Sequence, residues 1–499
     1  MIAARVPVSR GRLRRLRFPA TSTRPPVTFR VYNALSRTKE PFQSLEPGVV
    51  RMYNCGPTVY KRQHIGNFRS FVFADLLRRW LEYLGYEVRQ VMNITDVGHI
   101  LDDEEEGEDK IEAEARETGR DPWKISREET EVFLADAAEL GILEPMVRPK
   151  ATEHIPEMIE MVKGLIDKGH AYRKGDNVYF DVTTFERYGR LSGNKVEDLD
   201  AGARVAVNAE KRNPADFALW KSDPRHIMKW DTEFGPDGFP GWHIECSAMA
   251  RKHLGDRIDI HTGGEDNVFP HHECEIAQSE CFTGQPFANY WLHTKFLQVD
   301  GGKMSKSLGN VYTIDDVKAR GYTPRQLRYA LLRGHYRQPL NFTWDILQEV
   351  ATALEGLDDL VARLRRAAEG ESGAADEPRA GMEFVQAAQA EFEAGMNEDL
   401  NVPRALAALF GLRSHALEGH FGRESATAAL EFLGRANGVL GILDLEERTL
   451  DAAVEALIAE RQAARAAKDF AKSDELRDRL AAMGVELQDS ADGVTWRLK

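Results

Sequence analysis

GVVRMYNCGPTVYKRQHIGNFRSFVFADLLRRWLEYLGYEVRQVMNIT, residues 48–95, reads as strand, helix, strand. GVVRMYNC (48–55) is apolar and β-branched, as a buried strand requires, and Gly56 and Pro57 then turn the chain. Phe68, Phe71, Val72, Leu76, Leu77, Trp80, Leu81 and Leu84 recur at helical spacing, with Arg69, Asp75, Arg78 and Glu82 largely opposite. Gly85 supplies a C-terminal stop, and EVRQVMNIT (87–95) is the next strand. Two strands joined by one helix form a right-handed βαβ unit, so the sheet is parallel.

Working outward, residues 101–148 are acidic and read as helical with an exposed face. Residues 176–240 are richer in short strands and turns (NVYFDV, FGPDGFPGW) and read as an insertion. Sheet-like pattern returns at DRIDIHTGG (256–264), and a helix is expected over 268–281. From Thr343 the chain is almost wholly helical, ILQEVATALEGLDDLVARLRRAA being the clearest case. EGESGAADEP (369–378) has the composition of a solvated linker, and the last fifty residues read as a charged helical stretch ending in a small hairpin.

At 499 residues, two to four domains are expected. No apolar run approaches the roughly 20 residues of a membrane helix, which excludes a spanning protein of that type. Four cysteines (Cys55, Cys246, Cys274, Cys281) argue against a disulfide framework and for a reducing compartment. The formal charge of −14 conceals an asymmetry, because residues 1–39 hold ten Arg or Lys and no acid. The remaining chain is therefore strongly acidic, and any RNA contact needs local basic patches. The Arg-rich opening fits a transit peptide or a flexible basic arm, and an ordinary disordered tail or a misassigned start is the plain and favoured alternative.

Three motifs carry chemistry. In TVYKRQHIGN (58–67), between the first strand and its helix, a helix N-terminus offers N–H groups to phosphate. His64 can donate there, and Gly66 lets a ligand approach the backbone. In GGKMSKSLGN (301–310), Lys303 and Lys306 sit on a Gly/Ser-flanked loop able to close over a polyphosphate. FPHHECEIAQSE (269–280) holds five consecutive potential metal ligands, His271 to Glu275. Taken singly, these stretches are also an ordinary turn, a solvated basic loop and a polar helix.

In this order on a βαβ chain they are specific. HIGN resembles the HIGH signature, and KMSKS the second signature, of class I aminoacyl-tRNA synthetases. MYNCGPTVY, PGWHIECSAM, FPHHECEIAQSE and KMSKSLGN, spaced as here, resemble the cysteinyl-tRNA synthetase family. The resemblance covers residues 29–499, including NPADFALWK (213–221), GHYRQPLNFT (334–343) and the terminal VTWRLK.

That resemblance implies one Zn²⁺ per subunit, held by Cys55, Cys246, His271 and Glu275. Positions i and i+4 share a helix face, which suits His271 with Glu275 and sends His272 and Glu273 elsewhere. Zinc would separate cysteine from near-isosteric serine by binding thiolate, making an editing domain unnecessary. The resemblance further implies that His64, Asn67, Lys303 and Lys306 act on the ATP triphosphate, with Mg²⁺ accompanying ATP. Gly66, Gly263, Gly264 and Asp266 would line the nucleotide site, and Trp242, Thr95 and Asp96 the amino-acid pocket. For Trp242 a core position, and for Asp96 a helix cap, are the plain alternatives.

Two departures stand out: Asn67 occupies the last position of HIGH, and Cys274, three residues after His271, lies within helical reach of the same face. The expected fold is α/β, a Rossmann-type parallel-sheet catalytic domain with an insertion, followed by an all-α bundle and a small C-terminal domain. The expected boundaries are a basic extension at 1–28, catalytic halves at 29–150 and 241–345, an inserted region at 151–240, a helical anticodon-binding bundle at 346–450 and a C-terminal anticodon-recognition domain at 451–499. The implied activity is ATP-dependent ligation of L-cysteine to tRNA(Cys) through cysteinyl-adenylate, by a monomer free of membranes. A cytoplasmic location is expected, with organellar import through the basic N-terminus left open. A mycothiol-type cysteine ligase acting on a small amine and a non-catalytic tRNA-binding paralogue are the alternatives.

Overall fold

The computed structural model describes residues 28–98, 109–194, 211–304, 308–370, 378–445, 452–490 and 493–498. Lys306, the basic extension up to residue 27 and most of the expected linker lie outside the described residues.

The described residues up to Asp444 form one compact unit. A short antiparallel pair, β1 (Arg30–Asn33) and β2 (Thr38–Pro41), leads into β3 (Val49–Asn54), α1 (Ile65–Tyr83) and β4 (Glu87–Met92), the βαβ unit read from sequence. Helices α2 (Lys110–Thr118), α3 (Pro122–Glu139) and α4 (Ile155–Asp167) follow. The insertion is a five-stranded antiparallel sheet, ordered β5 (Ala171–Lys174), β6 (Asn177–Phe180), β7 (Phe217–Ser222), β9 (Gly235–Pro240) and β8 (Trp230–Thr232). The chain then returns through α5 (Trp242–Leu254), β10 (Ile258–Gly264), α6 (Glu273–Thr283) and β11 (Ala288–Thr294).

The central sheet runs β11-β10-β3-β4 and every pair in it is parallel. From β3 the chain goes to β4 on one side and later to β10 on the other. The order therefore reverses between β3 and β10, and α/β sheets bind ligands at the C-terminal ends of strands at such a switch. Val50, Met52, Val91, Ile258 and Ile260 are fully buried in this sheet. Each contributes about 1.5–3 kcal/mol by leaving water.

Helix α1 buries the expected apolar face, but two charges expected opposite it, Arg69 and Asp75, are buried as well. The reason is tertiary: helices packed on the far side leave α1 no solvent face there. After the hairpin of β12 (Leu297–Val299) and β13 (Gly302–Lys303), α7 (Ile314–Ala319) and α8 (Pro324–Leu332) lead to β14 (Leu340–Phe342), which pairs with β12. The bundle α9 (Trp344–Glu369), α10 (Pro378–Asn397), α11 (Val402–Leu417) and α12 (Arg423–Leu440) follows, and α1 packs against both α8 and α12. Asp75 accepts from Arg328 of α8, Arg79 and the Leu143 amide, while Arg328 also donates to the carbonyls of Leu440 and Leu140.

The helix expected over 268–281 begins later. Val268–His272 is a wide, irregular turn in which Phe269 is extended and the Phe269–Pro270 peptide is cis, and the regular helix runs from Glu273 to Thr283. Proline at 270 cannot donate its nitrogen to a helical bond, which favours this irregular entry.

Beyond Asp444 a second unit comprises α13 (Ala452–Ala466), α14 (Phe470–Ala482) and the antiparallel hairpin β15 (Val485–Ser490) with β16 (Gly493–Leu498). Val454, Leu480 and Val485 form its small core.

Candidate active site

Cys55 is the residue at which β3 ends, and its amide donates to the Thr262 carbonyl of β10, so it sits at the switch point. Cys246 lies in the first half of α5, buried behind Trp242 and His243. His271 is the fourth residue of the irregular turn, and Glu275 lies in the first turn of α6. Cys55, Cys246, His271 and Glu275 each offer a ligand atom within 4.8 Å of the others. The i, i+4 expectation holds, with His271 Nε2 3.1 Å from Glu275 Oε1.

His272 departs from the expectation. It does not point away, because the irregular turn before α6 rotates it inward. Its Nε2 is 3.2 Å from Cys55 Sγ, and Cys55, His261, His272 and Glu275 form a second grouping of the same kind. Glu273 does point away and accepts the Leu191 and Ser192 amides. Cys274 also leaves the cluster: its sulfur is 3.3 Å from the Tyr188 hydroxyl, on the face of α6 turned to the insertion. It is therefore not a competing ligand.

Histidines pack around these four residues. His261 Nε2 is 2.9 Å from Glu275 Oε2, His272 Nδ1 is 2.8 Å from His293 Nε2, and His243 Nδ1 is 3.1 Å from His271 Nδ1. Trp242 stacks on His271 at 4.2 Å and Trp291 on His261 at 4.6 Å. Burial alone would raise the Glu275 carboxyl, yet His261 and His271 hold it down at about 2. Burial would lower His271, but Glu275 and Cys246 raise it to about 10. Burial would likewise raise Cys246, whereas its contacts with Cys55 and His271 bring it to about 6. His293 is pushed down to about 3 by burial, with His261 adding to the effect.

The cluster thus favours one positive charge among two sulfurs and a carboxylate. Two thiols, an imidazole and a carboxylate, buried and converging, are a donor set that fits a tetrahedral cation of intermediate softness. Glu245, beside Cys246, is fully buried, and burial, then Cys246, pushes its carboxyl well above the usual range despite a hydrogen bond from Thr95.

Asn93 ties Gly56 to Thr95, a residue expected at the amino-acid pocket. It accepts from the Gly56 amide and donates to the Thr95 hydroxyl. Asp96 uses both oxygens on Thr152, accepting from its amide and its hydroxyl. Gly263 and Gly264 end β10, Asn267 accepts from the Gly264 amide, and a side chain on Gly264 would strike Asp266.

At the other end of the crevice, His64 is the N-cap of α1. Its Nδ1 accepts from the Asn67 amide while the Asn67 side chain accepts from the His64 amide. The two residues expected on the triphosphate thus first hold each other in a reciprocal cap. A Cβ on Gly66 would lie 2.2 Å from the methyl carbon of Met304. The HIGN turn and the KMSKS segment are therefore in contact through Gly66. Lys303 is exposed on β13.

Sequence reasoning missed His243, His261, His293 and Glu245 as site residues, and it turned His272 away from the cluster that the structure brings it into. Spacing carries no signal for residues contributed by separate strands and helices; only the tertiary fold brings them together.

Residues 41–352 match the family model for the class I (C) tRNA synthetase catalytic domain, residues 391–444 the DALR domain, and residues 447–497 the cysteinyl-tRNA ligase anticodon-binding domain. The cysteine–tRNA ligase of Chlorobaculum tepidum is 44% identical over 492 residues, covering 94% of this chain and 99% of that protein. The chain belongs to the cysteine–tRNA ligase family. The family's Symbiobacterium thermophilum member is 47% identical over 480 residues, again covering 94% of this chain and 99% of its own length. A methionyl-tRNA synthetase of Mycobacterium tuberculosis, solved with methionyl-adenylate, superposes with a TM-score of 0.60 over 79% of this chain and 92% of that one. At 15% identity this is a likeness of fold, the class I architecture that the parallel sheet and its insertion share.

Proposed function

We infer that this chain joins L-cysteine to tRNA(Cys) in two steps, using ATP and releasing AMP and pyrophosphate. The observation that carries the reading is the convergence of Cys55, Cys246, His271 and Glu275 at the β3–β10 switch point, in a member of the cysteine–tRNA ligase family.

Cys55, Cys246, His271 and Glu275 would hold Zn²⁺, which when bound supplies a soft Lewis-acid centre that favours a substrate thiolate over a hydroxyl. Trp242, stacked on His271, and Thr95, fixed by Asn93, would border the amino acid. The carboxylate of cysteine attacks the α-phosphorus of ATP and expels pyrophosphate. A ribose hydroxyl of the terminal adenosine then attacks the adenylate carbonyl. Neither step needs a side-chain nucleophile, so positioning and charge stabilisation supply catalysis. His64 and Asn67, at the positive end of α1, would meet the triphosphate, with Lys303 and Lys306 closing on it. Mg²⁺ accompanies ATP. Gly263, Gly264 and Asp266 would receive the adenosine.

The unit after Asp444 would read the anticodon. A matching anticodon-binding domain at 447–497 weighs against a ligase acting on a small amine. No helix of the described residues is long and apolar enough to cross a membrane. A monomer working in the cytoplasm is the simplest assembly and location for this activity.

The test is aminoacylation of tRNA(Cys) transcript with cysteine and with serine, alongside elemental analysis. Cysteine-specific charging with one zinc per chain is expected. Equal charging of serine, or no charging with intact folding, would overturn the reading.

A further inference from the structure

The chain carries a second convergence of metal-binding side chains, far from the active site in sequence and contained in one helix ending. SHALEGHFG, residues 414–422, closes α11 and opens α12. Gly419 adopts φ +78°, the His420 amide donates to the His415 carbonyl at 3.2 Å, and the Gly419 amide donates to the Ala416 carbonyl at 3.2 Å. These two bonds define a Schellman ending, which places the residue after the glycine back against the last turn of its helix. An apolar pair usually meets at those two positions; here both are histidines.

The backbone therefore sets His415 beside His420, and Glu418 lies between them. His420 Nδ1 is 3.3 Å, and His415 Nδ1 3.7 Å, from Glu418 Oε2. All three ligand atoms lie within 4.8 Å of one another. Donor atoms sharing a tetrahedral ion at bond lengths of about 2.0–2.1 Å stand about 3.3 Å apart; the His420–Glu418 pair has that separation and the His415–Glu418 pair, at 3.7 Å, is wider.

Two further observations point to a cation. His415 Nδ1 is shut off from solvent and has no hydrogen-bond partner, so its lone pair or proton is left facing Glu418. Phe384 of α10 stacks on His415 at 3.6 Å and lies 5.2 Å from His420, holding both imidazoles in place. The negative end of the α11 dipole adds to the attraction.

We propose that His415, Glu418 and His420 form a binding site for a divalent transition-metal ion at the C-terminal end of α11. Two imidazoles and one carboxylate select Zn²⁺, Co²⁺ or Ni²⁺ over the hard ions Mg²⁺ and Ca²⁺. Three protein ligands on a half-exposed loop leave positions to water, so the ion exchanges readily and binds more weakly than at the buried four-ligand centre. Bound there, it would tie the end of α11 to the start of α12 without touching the catalytic crevice.

The test uses the full-length chain with its buried centre already loaded with zinc. Added Zn²⁺ is followed by equilibrium dialysis with elemental analysis, and added Co²⁺ by its visible absorption. Wild type is expected to take up one further equivalent. His420→Ala and Glu418→Gln should each bind that equivalent at least about tenfold more weakly while retaining the first. Thermal unfolding gives an independent readout: added Zn²⁺ should raise the midpoint of wild type and leave that of Glu418→Gln unmoved, with cysteine charging unchanged in both. Equal uptake by wild type and the two variants, or no second equivalent in wild type, would overturn the proposal.

Discussion

The guanidinium of Arg328 donates to the carboxylate of Asp75 at 2.5 Å, and both side chains are 1% exposed. The pair joins α1, whose N-terminus carries the HIGN turn, to α8, which follows the KMSKS segment. Through the Leu440 carbonyl it also reaches the end of α12. Burial works against the ionised Asp75, but Arg328 and Arg79 keep its carboxyl below the usual range. Arg328→Met should leave that carboxylate short of a partner and cost about 3–5 kcal/mol in denaturant unfolding. The double variant Asp75→Asn/Arg328→Met should recover part of the loss. A single-variant cost near zero would show that the pair does not hold the elements together.

Both groupings at the active site contain Cys55 and Glu275, whereas Cys246 and His271 belong to only one. Metal content by elemental analysis should therefore fall furthest in Cys55→Ser and Glu275→Gln. Cys246→Ser should retain more metal, because His261 and His272 offer a replacement pair. Equal loss in all three variants would exclude His272 as an alternative donor.

Gly66 touches Met304 across the two signature segments. Gly66→Ala should fold normally, since the methionine tip can move, but should slow cysteine-dependent ATP–pyrophosphate exchange by about 10- to 100-fold through misplacement of the loop. Adding Met304→Ala should restore part of the rate. Failure of the second change to help would mean that the alanine acts through the nearby His64 ring instead.

Lys306→Ala should lower the same exchange by about 10²- to 10³-fold with little change in cysteine KM, as removal of one transition-state charge contact does. Unchanged exchange would remove Lys306 from the reaction.

Asp109 caps α2, accepting the Ile111 and Glu112 amides, and burial raises its carboxyl to about 7. Unfolded, the same group titrates at about 3.9. Between these values the unfolded chain has lost the proton and the folded chain has kept it. Stability should fall as pH rises from about 4 to about 7 and then level off. Asp109→Asn keeps an acceptor for the cap and should flatten that part of the profile in thermal unfolding. An unchanged slope would assign it to other groups.

The parallel sheet was legible in residues 48–95 because its helix and strands have different hydrophobic periods. The helix face through Phe68, Leu76 and Trp80 was read correctly for the same reason. The charges at Arg69 and Asp75 misled, because periodicity reports polarity and cannot reveal that carbonyls within residues 335–338 receive Arg69 and that Arg328 of α8 meets Asp75. At the site, Cys55 and Glu275 were legible through motif resemblance. His272 was misread because an ideal helix was assumed through Pro270, and the irregular turn there redirects it. His261 and His293 are on adjacent strands, β10 and β11, and no spacing rule joins residues across a crossover helix.

Cys55 and Glu275 are 220 residues apart in the chain. At about 5–20 residues per second, a ribosome needs roughly 10–45 s to travel from one to the other. For most of that interval, until Cys246 is made, the growing chain carries Cys55 as a bare thiol with no other sulfur of the site yet in existence, and Glu275 is the last of the four to arrive. Metal loading is thus a late event in the life of the molecule, and a transcript broken before codon 275 yields a protein that can never complete the centre.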